Sequence, residues 1–299
     1  MSRAVPATGV SEYLRVRGLR LHLRRFGLID APLLFLLHGW LDASASFAPV
    51  IEHLLERAGG QLQVIAPDGR GFGYSEWAAG GYWFPDYVAD LDAVVEHYAT
   101  MRRCSWPCTA WARRSSVCTP VCDHSAYTSL HCWTRWGVPD MPPERAPARI
   151  TRWLDQQRAP PTHRPYESFA ALAQRIRRQH PRLDTAQSDF VARCWAHEDV
   201  QGRVHLLADP KHRFNGPGLY RATESEAVWR QVIASTLILY AGDSEFRESI
   251  SAAARQRRQD CFRTHRVLTV PAVGHMLHFE APQATADAQA DFLLEPACA

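Results

Sequence analysis

The sequence lacks the features that mark several broad protein classes. No run approaches the ~18 consecutive apolar residues that a membrane-spanning helix requires, and residues 1–6 contain no apolar core of a secretory signal. The formal net charge is only +3, which is too small for the clustered basic face of a nucleic-acid-binding protein. We therefore expect a cytoplasmic protein whose partner is a small molecule, with no nucleic acid and no membrane involved. The oligomeric state is left open.

Phosphate-binding glycine motifs are also missing. Gly69, Gly71 and Gly73 alternate with other residues, but this spacing is neither G-x-G-x-x-G nor the loop that ends in Lys-Ser or Lys-Thr. We expect no nucleotide cofactor and no metal. The 299 residues, 46% of them hydrophobic and 22% charged, are sufficient for a large globular core.

The hydrophobic pattern alternates between two periods along the first hundred residues. Residues 12–26 predict a hairpin. Residues 33–37 and 62–66 are apolar runs typical of strands buried on both faces. Residues 44–57 and 85–98 repeat their apolar side chains at helical spacing. This order predicts an α/β fold with a doubly wound, mostly parallel sheet.

Three short motifs follow the predicted strands. They are His38-Gly39-Trp40-Leu41-Asp42, Asp68-Gly69-Arg70-Gly71, and the segment from Gly274-His275 to His278 and Glu280. Together they resemble the α/β-hydrolase family, most of all its serine hydrolase-like branch. The resemblance implies an α/β-hydrolase fold with a helical cap inserted. It places the first part of the core at 1–136, the cap at 137–231 and the second part of the core at 232–299.

The resemblance also implies site residues. His275 corresponds to the catalytic base, and the backbone N–H of Trp40 to one donor of the oxyanion hole. The triad acid of the family follows the strand predicted at 236–241, where this chain offers two acids, Asp243 and Glu245. Ser244 instead occupies the acid's place if the strand is one residue longer. The sequence leaves this choice open.

The nucleophile elbow of the family, G-x-S-x-G, is absent from this amino-acid sequence. Residues 102–136 show neither helical nor strand periodicity, and five of the eight cysteines lie between Cys104 and Cys132. When the codons of Cys108–Ala112 are read two bases later, they permit His-Ser-Met-Gly, with the glycine forced. The shifted codons of His131–Thr134 spell Leu-Leu-Asp. We infer that 102–136 is a frame-shifted stretch between two compensating insertions or deletions.

This stretch has two other interpretations. The spacing of Cys104, Cys108, Cys118, Cys122 and His124 falls within the range of structural zinc sites, but the shifted frame explains the cysteines and the tryptophans together. A nucleophile relocated to Ser115 or Ser116 is less favoured, because Arg113-Arg114 before them offers no sharp strand-to-helix turn.

The expected family function is hydrolysis of a carboxylic ester or a similar acyl bond. The protein with the sequence as given, without the shift of frame, is expected to be inactive because it has no nucleophile serine. We also expect it to be unstable, because a sheet without its central strand leaves backbone groups unpaired. The alternative is a non-catalytic protein that keeps the pocket and binds a small ligand.

Overall fold

The computed structural model describes residues 9–101, 108–111, 127–133, 139–214 and 216–294. Its main sheet has eight strands, namely β1 (Val10–Val16), β2 (Leu19–Gly27), β3 (Leu33–Leu36), β4 (Gln63–Pro67), β5 (Cys108–Trp111), β6 (Tyr127–Trp133), β9 (Ser235–Ala241) and β10 (His265–Val270). Their order across the sheet is β1-β2-β4-β3-β5-β6-β9-β10. Strand β1 pairs antiparallel with β2, β2 pairs antiparallel with β4, and the other pairings are parallel.

Nine α-helices lie in the described residues. They are α1 (Ala48–Arg57), α2 (Phe84–Met101), α3 (Ala146–Arg158), α4 (Phe169–Gln179), α5 (Thr185–Trp195), α6 (Ala222–Trp229), α7 (Ala252–Gln259), α8 (Leu277–Glu280) and α9 (Pro282–Leu294). A separate two-stranded hairpin consists of β7 (Ala196–Glu198) and β8 (Val204–Leu206). In the described part of the chain, no helix is both long enough and apolar enough to cross a membrane.

Strand β3 explains why the sheet is covered on both faces. Its four residues are all buried, and successive side chains point to opposite faces. Leu33 and Phe35 join the hydrophobic cluster that includes α2, whereas Leu34 and Leu36 join the cluster that includes α1 and α9. The apolar run at this position is therefore typical of a doubly wound sheet, because helices bury both faces of the strand.

The two strands in the middle of the sheet correct one of our expectations. We expected no strand within 102–136, and that expectation was wrong for two segments. Cys108–Trp111 pairs in parallel register with β3 on one side and with β6 on the other. Strand β6 then pairs with β9. The sheet is therefore continuous, and the instability expected from a missing central strand loses its physical basis.

Residues 139–231 add no strand to the main sheet among those described. They contain α3 to α6 and the β7–β8 hairpin, which the sequence pattern did not predict. A third hydrophobic cluster lies here, built mainly from α4 and α5 and completed by Met276 and Phe279 from the segment around α8. The helical segment thus packs on the loop that carries His275. The exact limits of the cap at 137 and 231 stay a prediction.

Candidate active site

The carboxyl ends of the parallel strands β3, β9 and β10 lead into the three loops that carry the candidate residues. Trp40 follows β3, Ser244 follows β9, and His275 follows β10. In open α/β sheets this edge is where ligands bind. Two of these loops contain a non-glycine residue in the left-handed region, Leu41 with φ of 60° and Ala272 with φ of 58°. Such conformations cost energy and cluster at functional sites.

His275 is buried, and its Nδ1 atom lies 3.5 Å from the Oγ atom of Ser244. Ser244 is buried as well. The ring of Phe246 meets the imidazole edge to face, with 4.5 Å between the ring centroids. A hydroxyl group therefore lies beside the ring nitrogen that would face a carboxylate in a triad.

The two acids proposed from the sequence flank Ser244 in the loop after β9. The Asp243 carboxylate forms an ion pair with Arg182 at 2.9 Å, and its side chain is about half exposed at 47%. The Glu245 side chain is exposed. The Asp243 backbone N–H donates to the Val273 carbonyl at 2.9 Å, which ties the loop after β9 to the loop after β10. These positions favour Ser244 as the residue at the place of the triad acid.

The loop that carries His275 is held by Glu280. The backbone N–H of Gly274 donates to Glu280 Oε2 at 2.7 Å. A Cβ atom at Gly274 would lie 2.7 Å from Glu280 Oε1, so glycine permits this close approach. The Gly-His segment and the glutamate six residues later therefore act as one structural unit.

Asp42 joins the Trp40 loop to the His275 loop. Its Oδ2 atom lies 2.9 Å from His278 Nε2, and its Oδ1 atom accepts a hydrogen bond from Trp195 Nε1 at 2.8 Å. Both Asp42 and His278 are buried. Because Trp195 ends α5, one carboxylate connects the loop after β3, the helical segment and α8. Sequence reasoning missed this pair, since its members lie 236 residues apart.

The pKa of Asp42 reflects the balance of these contacts. Burial by itself raises the pKa, but the hydrogen bond and charge of His278, the charge of His38 and the bond from Trp195 outweigh it. The result is a pKa lowered from 3.8 to about 2. Asp42 is therefore a structural anion at neutral pH rather than a proton donor.

Trp40 lies at the surface beside the segment that returns from the helices to the sheet. Its side chain is 57% exposed, and its indole N–H donates to the His212 carbonyl at 3.0 Å. Among the described residues, its backbone N–H has no hydrogen-bond acceptor. This free donor has the chemistry that the oxyanion assignment needs.

His212 is a buried histidine held between two aromatic rings. Its ring stacks on Phe72 at 3.6 Å and on Tyr82 at 3.7 Å between centroids. Burial is the main cause that lowers the pKa of His212 to about 3. The imidazole is therefore neutral near pH 7 and supports the Trp40 loop by packing.

The Asp68 motif also has a structural role. Asp68 accepts hydrogen bonds from the backbone N–H groups of Ser44 at 2.6 Å and Tyr74 at 3.0 Å, and it lies 2.7 Å from His22 Nδ1. Gly73 has φ of 50°, and a Cβ atom there would lie 2.1 Å from the Asp68 carboxylate. The glycines of this loop therefore let the backbone wrap around a buried carboxylate.

Among the residues that the structure describes, no group of three His, Cys, Asp or Glu side chains could hold a metal ion. Ser115, Ser116 and residues 117–126 lie outside the described residues, as do Cys104 and the rest of 102–107. The proposed nucleophile region and the cysteine–histidine spacing therefore stay predictions.

Comparison with known proteins agrees with this architecture. The family model described as alpha/beta hydrolase fold matches residues 32–99, the stretch that includes the Trp40 loop and the Asp68 loop. A hypothetical protein from Pseudomonas aeruginosa PAO1 superposes with a TM-score of 0.80 at 20% identity, covering 95% of this chain and 99% of that chain. The protein has the α/β-hydrolase fold.

Two further solved structures share the fold along almost their whole length. The thioesterase domain from the curacin biosynthetic pathway has a TM-score of 0.78 at 20% identity, with 93% of this α/β-hydrolase-fold chain and 97% of that chain covered. A Mycobacterium tuberculosis esterase has a TM-score of 0.70 at 16% identity, with 95% and 91% covered. No curated protein matches the chain.

Proposed function

We propose that the protein belongs to the serine hydrolase-like branch of the α/β hydrolases, whose chemistry is hydrolysis of a carboxylic ester or similar acyl bond in a small molecule. The observation that carries this proposal is the buried His275 at the carboxyl edge of the sheet, joined to the Trp40 loop through the pair of Asp42 and His278. The solved neighbours described as a thioesterase domain and an esterase support acyl-bond chemistry. A cytoplasmic location accords with this proposal.

In a family member that has the nucleophile serine, each residue of the site has one role in the mechanism. A serine attacks the acyl carbonyl, and His275 takes its proton and later passes it to the leaving group. The Trp40 backbone N–H stabilises the oxyanion together with the N–H of the residue after the nucleophile. Loss of one such donor typically costs about 10²–10³ in rate.

We further propose that the written chain does not complete this cycle. It contains no G-x-S-x-G segment, and the uncharged hydroxyl of Ser244 lies 3.5 Å from His275 Nδ1. Without a nucleophile the acyl-enzyme cannot form. An uncharged hydroxyl at this position stabilises the imidazolium that forms after proton transfer less than a carboxylate does.

The test is hydrolysis of p-nitrophenyl acetate by the purified protein. We expect a rate equal to that of the His275→Ala variant, because neither protein has an activated serine. A thermal melt accompanies the assay. A sharp melt without turnover favours the alternative function, a non-catalytic protein that binds a small ligand beneath its helical segment. A rate that depends on His275 would contradict the proposed inactivity.

The proposed cause of the inactivity is the frame shift across 102–136. The strands Cys108–Trp111 and Tyr127–Trp133 lie within this stretch and pair through backbone groups, which any sequence supplies. The continuous sheet is therefore compatible with the frame-shift hypothesis and does not decide it. Resequencing of the genomic DNA is expected to give codons that spell the nucleophile elbow in the shifted frame. Codons that cannot spell it would refute the hypothesis.

A further inference from the structure

A cavity of about 690 Å³ lies between the β7–β8 hairpin and the loop after β4. Its volume is in the range of small-molecule sites. His275 and Trp40 are not among the residues that line it. The residues that line it include Trp77, His163, Arg164, His197, Asp199 and His205. The cavity is therefore separate from the candidate active site.

The walls of the cavity are held by backbone and side-chain bonds. Tyr166 exchanges two backbone hydrogen bonds with Val204, each 2.8 Å long, which fixes the segment 162–165 against β8. The indole N–H of Trp77 donates to the Leu207 carbonyl at 3.1 Å. The Trp77 ring is thus anchored at one end, while its side chain stays about half exposed at 49%. An anchored, half-exposed indole is a stacking surface for a planar group.

Basic side chains outnumber acidic ones along this cavity. His163, Arg164, His197 and His205 line it, and Asp199 is the acid among the lining residues. The Asp199 carboxylate is already satisfied, because it accepts from the backbone N–H groups of residues 201 and 203 at 2.9 Å each and lies 2.7 Å from His205 Nε2. Its negative charge is therefore engaged within the hairpin.

The three imidazoles that line the cavity have features that favour binding of a ligand. The His163 Nε2 atom is buried without a hydrogen-bond partner in the described structure, and an unpaired buried polar atom is costly. His197 lies directly across from His205 on the paired strands, with 5.6 Å between the ring centroids. Directly opposed residues of paired strands point to the same face of the hairpin, so both imidazoles present ring nitrogen atoms to the cavity that they line.

We propose that this cavity is a binding site for a small molecule that joins a planar aromatic ring to a phosphate or carboxylate group. The ring stacks on Trp77. The anionic group lies against Arg164 and the pair of His197 and His205, while the imidazole of His163, which also lines the cavity, packs beside the ligand. Arginine suits this role because its planar group forms paired hydrogen bonds with phosphate and carboxylate.

The experiment titrates the full chain with phenyl phosphate and follows the imidazole signals of isotopically labelled histidine by NMR. We expect saturable shifts at His163, His197 and His205, and none at His53 on α1, which is remote in sequence and not among the residues that line the cavity. Arg164→Ala is expected to weaken binding about tenfold, since a hydrogen bond to a charged group carries about that free energy. Arg164 is exposed, so its replacement does not threaten the fold.

Matched controls separate a site from general charge attraction. Arg177→Ala removes an exposed arginine of α4 that bonds Thr185 and is expected to leave binding unchanged. Inorganic phosphate and phenol are each expected to bind more weakly than phenyl phosphate, because each lacks one of the two groups. Shifts that do not saturate in the millimolar range, or equal weakening by the Arg164→Ala and Arg177→Ala variants, would overturn the proposal. Equal affinity for inorganic phosphate and phenyl phosphate would overturn the aromatic part.

Discussion

Asp42→Ala is expected to lower the free energy of unfolding by about 2–6 kcal/mol, because it removes the hydrogen-bond acceptor of two buried groups, the His278 imidazole and the Trp195 indole, at about 1–3 kcal/mol each. The side chains of Asp42 and His278 are 1% and 7% exposed, so water cannot replace the lost contact. The same change frees the indole N–H of Trp195, which donates to Asp42 at 2.8 Å. Denaturant unfolding followed by circular dichroism measures the change.

The matched control is Asp243→Ala, which removes an exposed ion pair with Arg182. Exposed pairs of this kind contribute about 0–1 kcal/mol, so this variant is expected to stay close to the parent protein. Asp42→Asn is expected to fall between the two, since its amide keeps hydrogen-bonding capacity without the charge. If Asp42→Ala and Asp243→Ala cost the same, Asp42 does not join the two loops in the way argued here.

The pH dependence of stability follows from the same carboxylate. A group whose pKa is lower in the folded protein than in the unfolded chain binds fewer protons when folded. The contribution of Asp42 is therefore fully present above its ordinary value of 3.8 and is lost as the pH falls towards about 2. Its size is about 2 kcal/mol, since one unit of pKa corresponds to about 1.4 kcal/mol. In Asp42→Asn, the loss of stability across this range is expected to be smaller by that amount.

Much of the fold follows from local patterns in the chain. The apolar run at β3 and the helical spacing before Arg57 predict their elements because each pattern is decided by neighbours close in sequence. Helix α5 (Thr185–Trp195) shows a second local signal. There Asp184 and Gln187 cap each other reciprocally, with bonds of 2.7 and 3.0 Å, a device that sequence spacing carries.

The strands β5 and β6 show where local reasoning fails. Neither Cys108–Trp111 nor Tyr127–Trp133 has an alternating or an apolar pattern typical of a strand. Each lies between strands that supply hydrogen-bonding partners on both sides. Tertiary pairing of this kind overrides weak propensity, and no window of the sequence contains the partner strands.

The candidate site also contains some features that the sequence predicts and others that it does not. The positions of His275 and Trp40 at the ends of strands follow from motif and strand order together. The contact of Asp42 with His278 could not be predicted, because it joins residues 236 positions apart. The prediction of the partner of His275 depended on where β9 ends. Strand β9 ends at Ala241, where the pattern predicts its end, and Ser244, the third residue after it, lies beside the imidazole. The strand end alone therefore does not decide which of the three neighbouring side chains at 243–245 points inward.

Ser244→Asp is therefore expected to raise the pKa of His275 by about 1 to 3, because an opposite charge within about 4–6 Å favours the protonated imidazole. The Ser244 Oγ atom lies 3.5 Å from His275 Nδ1, and both side chains are buried, where solvent screens charges weakly. An NMR titration of labelled histidine measures this pKa, and the His275→Gln variant assigns the signal. The measurement does not require that the protein turn over a substrate.

Three variants decide whether Ser244 is the partner. Asp243→Asn and Glu245→Gln are expected to change the pKa of His275 by a few tenths at most, since the Asp243 side chain pairs with Arg182 and Glu245 is exposed to screening solvent. Ser244→Ala removes the hydroxyl without adding a charge, and it is expected to change the pKa of His275 much less than Ser244→Asp does. A fall of about one unit in Asp243→Asn or Glu245→Gln would instead identify that acid as the group that faces His275 in solution. The triad would then be closer to complete than the arrangement of Ser244 indicates, and the proposed inactivity would rest on the missing nucleophile alone.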